Sequence, residues 1–125
     1  MASGATAAAA SERLGYEPFT AERLSTLKAA GKPVLVNLTA DWCVTCLINE
    51  RVALDSAGVQ QAFAARGIVA LKGDWTNRNP EITALLQQFG RSGVPLYLLY
   101  GGKGDPVILP QLLTAATVLN ALGKV

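Results

Sequence analysis

The segment Pro33-Val34-Leu35-Val36-Asn37-Leu38-Thr39-Ala40-Asp41-Trp42-Cys43-Val44-Thr45-Cys46 begins as a near-continuous apolar run and ends in two cysteines three residues apart. The run from Pro33 to Thr39 has the pattern of a β-strand covered on both faces, as in a sheet with helices above and below it. Asp41-Trp42 breaks the strand, and Cys43 opens a helix that runs to about Leu54. Residues i and i+3 of a helix share a face, so the two thiols can meet and close a small disulfide ring. The first cysteine stands nearest the unsatisfied N–H groups and the positive end of the helix dipole. It also lies at the strand-to-helix turn, where it can be exposed. Both circumstances favour its thiolate, the species that attacks disulfides. Cys46, a turn deeper, is expected to be shielded and to resolve a mixed disulfide formed at Cys43.

Outward from this segment the chain alternates helices and strands. Thr20 caps a helix over 21–30, with Glu22 in its first turn and Gly31 just past its end. Ser56 caps a further helix over 57–66, and Ile68 to Leu71 is a second strand that ends in Lys72-Gly73-Asp74. Asn79-Pro80-Glu81 is a helix start, with an N-cap side chain followed by proline at the first helical position, and Gly90 stops that helix after Phe89. Val94 to Tyr100 is a third strand, Gly101 to Asp105 a turn, and Pro106 to Leu109 a fourth strand paired back on the third. Thr114 caps a last helix to about Leu122. The first two strands are joined through helices and should be parallel with right-handed crossovers, and the final hairpin pair should be antiparallel. The expected fold is therefore α/β: a mixed four-stranded sheet with helices on both faces. Tyr97, Tyr100 and the leucines of the last helix are assigned to the core.

Composition limits the chemistry. The chain has 125 residues, two cysteines and no histidine. One domain is expected at that length, over residues 16–125, behind an Ala-rich tail or linker at 1–15. Ser-His-Asp and Cys-His catalysis are excluded, as are His-ligated metals. Two cysteines cannot make a four-thiolate site within one chain. A net charge of +2, without runs of like charge, argues against nucleic acid as a partner. The chain has no apolar stretch long enough to span a membrane and no secretory signal at its start.

Taken alone, the cysteine pair admits a structural disulfide, two buried free thiols, or half of a metal site shared between chains. Its setting between an apolar strand and a helix favours redox exchange. Val94-Pro95 is a second feature. A proline can simply start a strand. Alternatively, a cis bond would set the Val94 backbone against the disulfide, where it could pair with an extended segment of a partner.

Ala40-Asp41-Trp42-Cys43-Val44-Thr45-Cys46 followed by Gly93-Val94-Pro95 resembles the thioredoxin superfamily. With Leu71-Lys72-Gly73-Asp74-Trp75-Thr76 and Val94-Pro95-Leu96-Tyr97 added, the chain is similar to the C-terminal periplasmic domain of DsbD-type proteins, including the ScsB relatives linked to copper tolerance. The resemblance implies a protein-disulfide reductase that relays electrons between dithiol and disulfide. Its donor would be a membrane-embedded domain of the same parent protein and its acceptor periplasmic. Partners would be held as transient mixed disulfides, and the isolated domain would be monomeric. Cys43 and Cys46 would carry the electrons with no cofactor, and Trp42, Val94 and Pro95 would shape the docking surface. Family members often place two acids beneath the cysteines, which raise the nucleophile's pKa and shuttle its proton. Glu50 occupies one of these positions. Asn37 stands where the other, an aspartate, is found, so Cys43 is expected to be more acidic here than in a relative with both acids. Otherwise Glu50 is a solvated helix residue, Asn37 a hydrogen-bonded core amide and Trp42 a rim aromatic. The rival function is a non-catalytic thioredoxin-fold module that presents a surface or holds copper(I) through its two thiolates.

Overall fold

The computed structural model describes residues 15–102 and 104–125. The tail expected over 1–15 lies almost wholly outside the described residues. In chain order the elements are β1 (Glu17–Pro18), α1 (Ala21–Ala29), β2 (Pro33–Thr39), α2 (Val44–Asn49, passing directly into a π-helical turn, Glu50–Leu54), α3 (Ala57–Arg66), β3 (Val69–Asp74), α4 (Pro80–Gln88), β4 (Leu96–Gly101), β5 (Val107–Ile108) and α5 (Ala115–Leu122).

The sheet has five strands in the order β1-β3-β2-β4-β5, one more than the sequence suggests. The added strand is the two-residue β1, which runs parallel to β3 at the edge. It is too short to show any periodicity, and its proline is tolerated because it lies on an edge strand. The expected directions hold for β2 and β3, which are parallel, and for β4 and β5, which are antiparallel; β4 also pairs antiparallel with β2. Boundaries move by a few residues, since β3 extends through Asp74 and β4 begins only at Leu96.

The alternation of β2 sorts its side chains onto two cores. Val34, Val36 and Leu38 join Leu71, Leu96 and Leu98 on one face, under Leu24 and Leu27 of α1 and Ile82, Leu85 and Leu86 of α4. Leu35 joins Tyr97 and Leu99 on the other, under Val59 and Phe63 of α3 and Val118 and Leu122 of α5. Six of the seven β2 residues are buried, which explains the unbroken apolar run. Gly73 lets the layers close: a Cβ there would stand 2.6 Å from Leu38 Cδ2 and 3.2 Å from Ile82 Cδ1. Helix starts follow the capping residues. The side chains of Thr20, Ser56, Asn79 and Thr114 each accept a backbone N–H of the first turn they cap.

Candidate active site

The end of β2 delivers Cys43 to the start of α2. The helix begins one residue later than expected, at Val44, so Cys43 is its N-cap and not its first helical residue. This changes the thiol's position usefully. As an N-cap, its Sγ accepts the Cys46 N–H at 3.1 Å, a bond that would favour the thiolate once the pair is reduced. Cys43 and Cys46 form a disulfide with their Cα atoms 5.3 Å apart. Cys46 is wholly buried and Cys43 is 7% exposed, so only the first cysteine of the pair reaches the surface. The disulfide packs on Ala40 and Val94.

The Val94–Pro95 peptide is cis. Among the described residues no backbone group pairs with the N–H or carbonyl of Val94, because β4 begins two residues later. Arg91 braces the far side of this loop by donating from Nη1 to the Pro95 carbonyl at 3.3 Å.

Trp42 stands immediately before Cys43, just past the end of β2. Its ring lies beside that of Trp75, with centroids 5.9 Å apart, and Nε1 donates to the Thr76 carbonyl at 3.2 Å. Trp42 as a whole stays 49% exposed, as a rim aromatic would be. Exposed Val44, Leu47 and Ile48 continue an apolar collar along α2 from Trp42. Helical spacing places these three on one outward face.

Beneath α2 lies a polar set on the face of Asn37. Glu50 is not on a solvated face: its Oε1 accepts from Lys72 Nζ at 3.3 Å, and both side chains are mostly covered. Lys72 is also the register partner of Asn37 across β2 and β3, and its ammonium lies 5.1 Å from the centroid of the Tyr16 ring. Asn37 is fully buried and donates from Nδ2 to Tyr16 Oη at 3.0 Å, while its Oδ1 has no partner among the described residues. Burial, above all, drives the Tyr16 phenol far above the ordinary tyrosine range. The bond from Asn37 opposes this, and the Glu50 and Asp55 carboxylates add to it. Thr39, Ala40, Asp41, Leu47 and Asp74 complete the lining of a cleft of about 240 Å³ that includes Glu50 and Lys72. Glu50 is thus paired with Lys72, and the position where family members often carry a second acid holds the neutral amide of Asn37.

Three residues without an assigned role in the sequence prove to be part of the scaffold. Thr76 Oγ1 accepts the Asp41 N–H at 2.8 Å and donates to Asp74. Trp75 is buried, donates from Nε1 to Thr83 Oγ1 at 2.8 Å, and lies directly beneath Gly93 of the cis-proline loop. Asn49 donates from Nδ2 to Tyr97 Oη at 2.9 Å and to the Gln111 carbonyl at 2.7 Å, and its Oδ1 accepts from Leu113 N at 3.0 Å. It ties α2 to the segment before α5. The adjacent residues Asp74-Trp75-Thr76 carried only a family pattern, and Asn49 carried no signal at all, because its partners are distant in sequence.

The Tyr97 phenol is pushed up to about 12, by burial first, with the bond from Asn49 opposing and the Glu50 carboxylate adding. A folded pKa raised above the unfolded value near 10 stabilises the fold fully below pH 10 and loses that contribution as pH rises toward 12. Denaturant unfolding should therefore show stability falling between pH 10 and 12, with a smaller fall in Tyr97→Phe. An identical slope in the variant would contradict the assignment.

The family model described as Thioredoxin-like matches residues 16–102. Thiol:disulfide interchange protein DsbD of Citrobacter koseri is 33% identical over 104 residues, which is 81% of this chain and 18% of that protein. The protein of the same name from Klebsiella pneumoniae subsp. pneumoniae is 39% identical over 78 residues, 62% of this chain and 13% of that protein. The chain thus spans less than a fifth of the curated relatives it matches. Among solved structures, the oxidised DsbD C-terminal domain of Neisseria meningitidis superposes with a TM-score of 0.65 at 24% identity, covering 88% of this chain and 98% of that one. A thioredoxin from Thermus thermophilus superposes with a TM-score of 0.70 at 23% identity, covering 90% and 86%. The α/β fold, the order of its elements and the match over residues 16–102 agree: the chain belongs to the thioredoxin-like family.

Proposed function

We propose that this domain is a thiol–disulfide oxidoreductase that relays electrons between a membrane-embedded donor domain and a periplasmic acceptor. The observation that carries the reading is the placement of the disulfide: its N-capping cysteine keeps a slight exposure, its second cysteine is sealed, and the unpaired Val94 backbone stands beside it. In the dithiol form the Cys43 thiolate attacks one sulfur of a partner disulfide. That S–S bond breaks, and the partner's other sulfur leaves as a thiolate and takes a proton. Cys46 then gives up its proton and attacks Cys43 Sγ, breaking the mixed disulfide. Two electrons have passed to the partner and the Cys43–Cys46 bond has re-formed. Glu50, a turn beyond Cys46, tunes the pair or carries its proton. Val94 and Pro95 offer backbone to an extended partner segment. The collar of Trp42, Val44, Leu47 and Ile48 provides a small apolar patch suited to transient docking. The two sulfurs supply the redox chemistry without a further cofactor.

The supporting relatives are named for thiol:disulfide interchange. No helix among the described residues is long and apolar enough to cross a membrane; because the chain matches less than a fifth of those relatives, this reading assigns the donor to another part of a larger parent protein.

Equilibration against dithiothreitol redox buffers, with alkylation and intact mass as readout, tests the proposal. A reversible two-electron transition is expected, shifting the poise by about 30 mV per tenfold change in the thiol–disulfide ratio. The dithiol form should also reduce a peptide disulfide faster than free dithiothreitol does at equal concentration. A bond reduced only on unfolding, or a dithiol that is inert toward disulfides but takes up one equivalent of copper(I), would decide for the binding module instead.

A further inference from the structure

Arg78 has the backbone of a residue held in place for a purpose. Its φ is +56°, and it is alone among the described non-glycine residues in lying at positive φ, a conformation an arginine adopts only at some cost. The turn before it is anchored on both sides. Trp75 N–H donates to the Thr39 carbonyl at 2.7 Å, Arg78 N–H donates to the Trp75 carbonyl at 2.9 Å, and Thr76 holds Asp41 and Trp42 as described. The result places the guanidinium 5.4 Å from the ring centroid of Trp42 and 5.0 Å from that of Trp75. Arg78 is exposed, and among the described residues no carboxylate pairs with it; the two ion pairs there are Arg23–Glu17 and Lys72–Glu50.

The charges near the disulfide are therefore divided. Asp41, Glu50 and Asp74, with Lys72, line the cleft on the α2 face. Trp75 belongs to the core under α1 and α4, and Arg78 lies over it on that side. Stacking on two rings limits the rotamers of the side chain, so little freedom remains to be lost when the guanidinium meets an anion.

We propose that Arg78 is a specificity residue that receives an acidic side chain flanking the reactive cysteine of a partner segment. The inference deepens the exchange function proposed above and rests on it. A segment that reaches Cys43 across the exposed Trp42 meets a preset cation with free donors. A carboxylate there is attracted and a lysine repelled, which shows chiefly in the rate of association.

The test uses the reduced protein and cysteine peptides, each presented as a mixed disulfide with 2-mercaptoethanol and differing only in the residues beside the cysteine: Glu, Gln or Lys. At low ionic strength the Glu peptide should react about two- to fivefold faster than the Lys peptide, the scale of one exposed charge pair. In 0.5 M salt the ratio should fall toward one. Arg78→Glu should invert the order. Arg78→Gly, which suits a positive φ without strain, should lose the part of the preference that Arg78 supplies while leaving the thermal midpoint no lower. A ratio unchanged in both variants, or a preference for Lys in the unaltered protein, would overturn the inference while leaving the exchange reading intact. Failure to react with any of the three peptides would overturn both.

Discussion

Reduced Cys43→Ser protein should react with a peptide disulfide no faster than the uncatalysed background, a loss of at least about three orders of magnitude. Cys46→Ser should keep the first step and stop there, accumulating a mixed disulfide visible as an added mass that dithiothreitol removes. The asymmetry follows from burial. Cys46 lies fully buried in the first turn of α2, so its sulfur cannot replace Cys43 as the attacking group. Cys43 alone has both a path to the surface and an N–H aimed at its sulfur, the latter from Cys46 itself. Because that donor is a backbone group, Cys46→Ser retains it, and the rate of the first step in this variant should remain close to that of the unaltered protein. Stopped-flow kinetics with intact-mass analysis separates the two steps. A Cys43→Ser protein within tenfold of the unaltered rate would dismiss Cys43 as the nucleophile. Equal trapping by both variants would dismiss the assignment of roles.

The sheet, its two cores and the position of the cysteines were legible because each rests on local pattern. The run Val34-Leu35-Val36 can be satisfied only by apolar neighbours on both faces. Asn79-Pro80 starts a helix by the geometry of one side chain and one ring. Capping is likewise a matter of three or four residues. The site's supporting groups follow a different logic. Asn37 with Tyr16, Glu50 with Lys72, Asp41 with Thr76 and Asn49 with Leu113 are separated by 21, 22, 35 and 64 residues. None of these pairs leaves a periodic trace, and each exists only because the sheet order β1-β3-β2 brings its members together or because α2 lies over the sheet. The short strand β1 belongs to this second class, since Glu17 and Pro18 become a strand only by pairing with Leu71 and Lys72. The helix N-cap shows how small the gap can be. Moving the first helical residue from Cys43 to Val44 turns Cys43 from a residue near a helix end into an acceptor of one of its N–H groups.

Asn37→Asp should raise the pKa of the Cys43 thiol by about one unit or more and lower stability at neutral pH by about 3 kcal/mol or more. The native position is occupied by a neutral side chain. Asn37 is fully buried, gives its amide hydrogen to Tyr16, and faces a single base, Lys72, whose ammonium already serves Glu50. An aspartate would place a second carboxylate on the same lysine and remove the bond to Tyr16 Oη. It would also bring a negative charge into the low-dielectric layer beneath α2, where it opposes a thiolate and is poorly screened. Burial and the Glu50 charge should both raise the pKa of the new carboxyl, so the folded state would hold its proton more tightly than the unfolded chain. By linkage, the variant is then least disturbed below the ordinary carboxylate range and loses stability as pH rises through the folded pKa. Two measurements keep the effects apart: thiolate absorbance at 240 nm for Cys43 and denaturant unfolding for the fold, each across pH. Asn37→Leu, which adds no charge, separates the loss of the amide from the gain of an ion, because it should leave the thiol's pKa much closer to the native value. A thiol pKa unchanged or lowered in Asn37→Asp would show that the amide does not set the acidity of Cys43. A shift reproduced in full by Asn37→Leu would assign it to packing. The predicted pattern, a rise in the aspartate variant only, would mean that the single missing charge makes the attacking sulfur of this chain more acidic than in relatives with two acids.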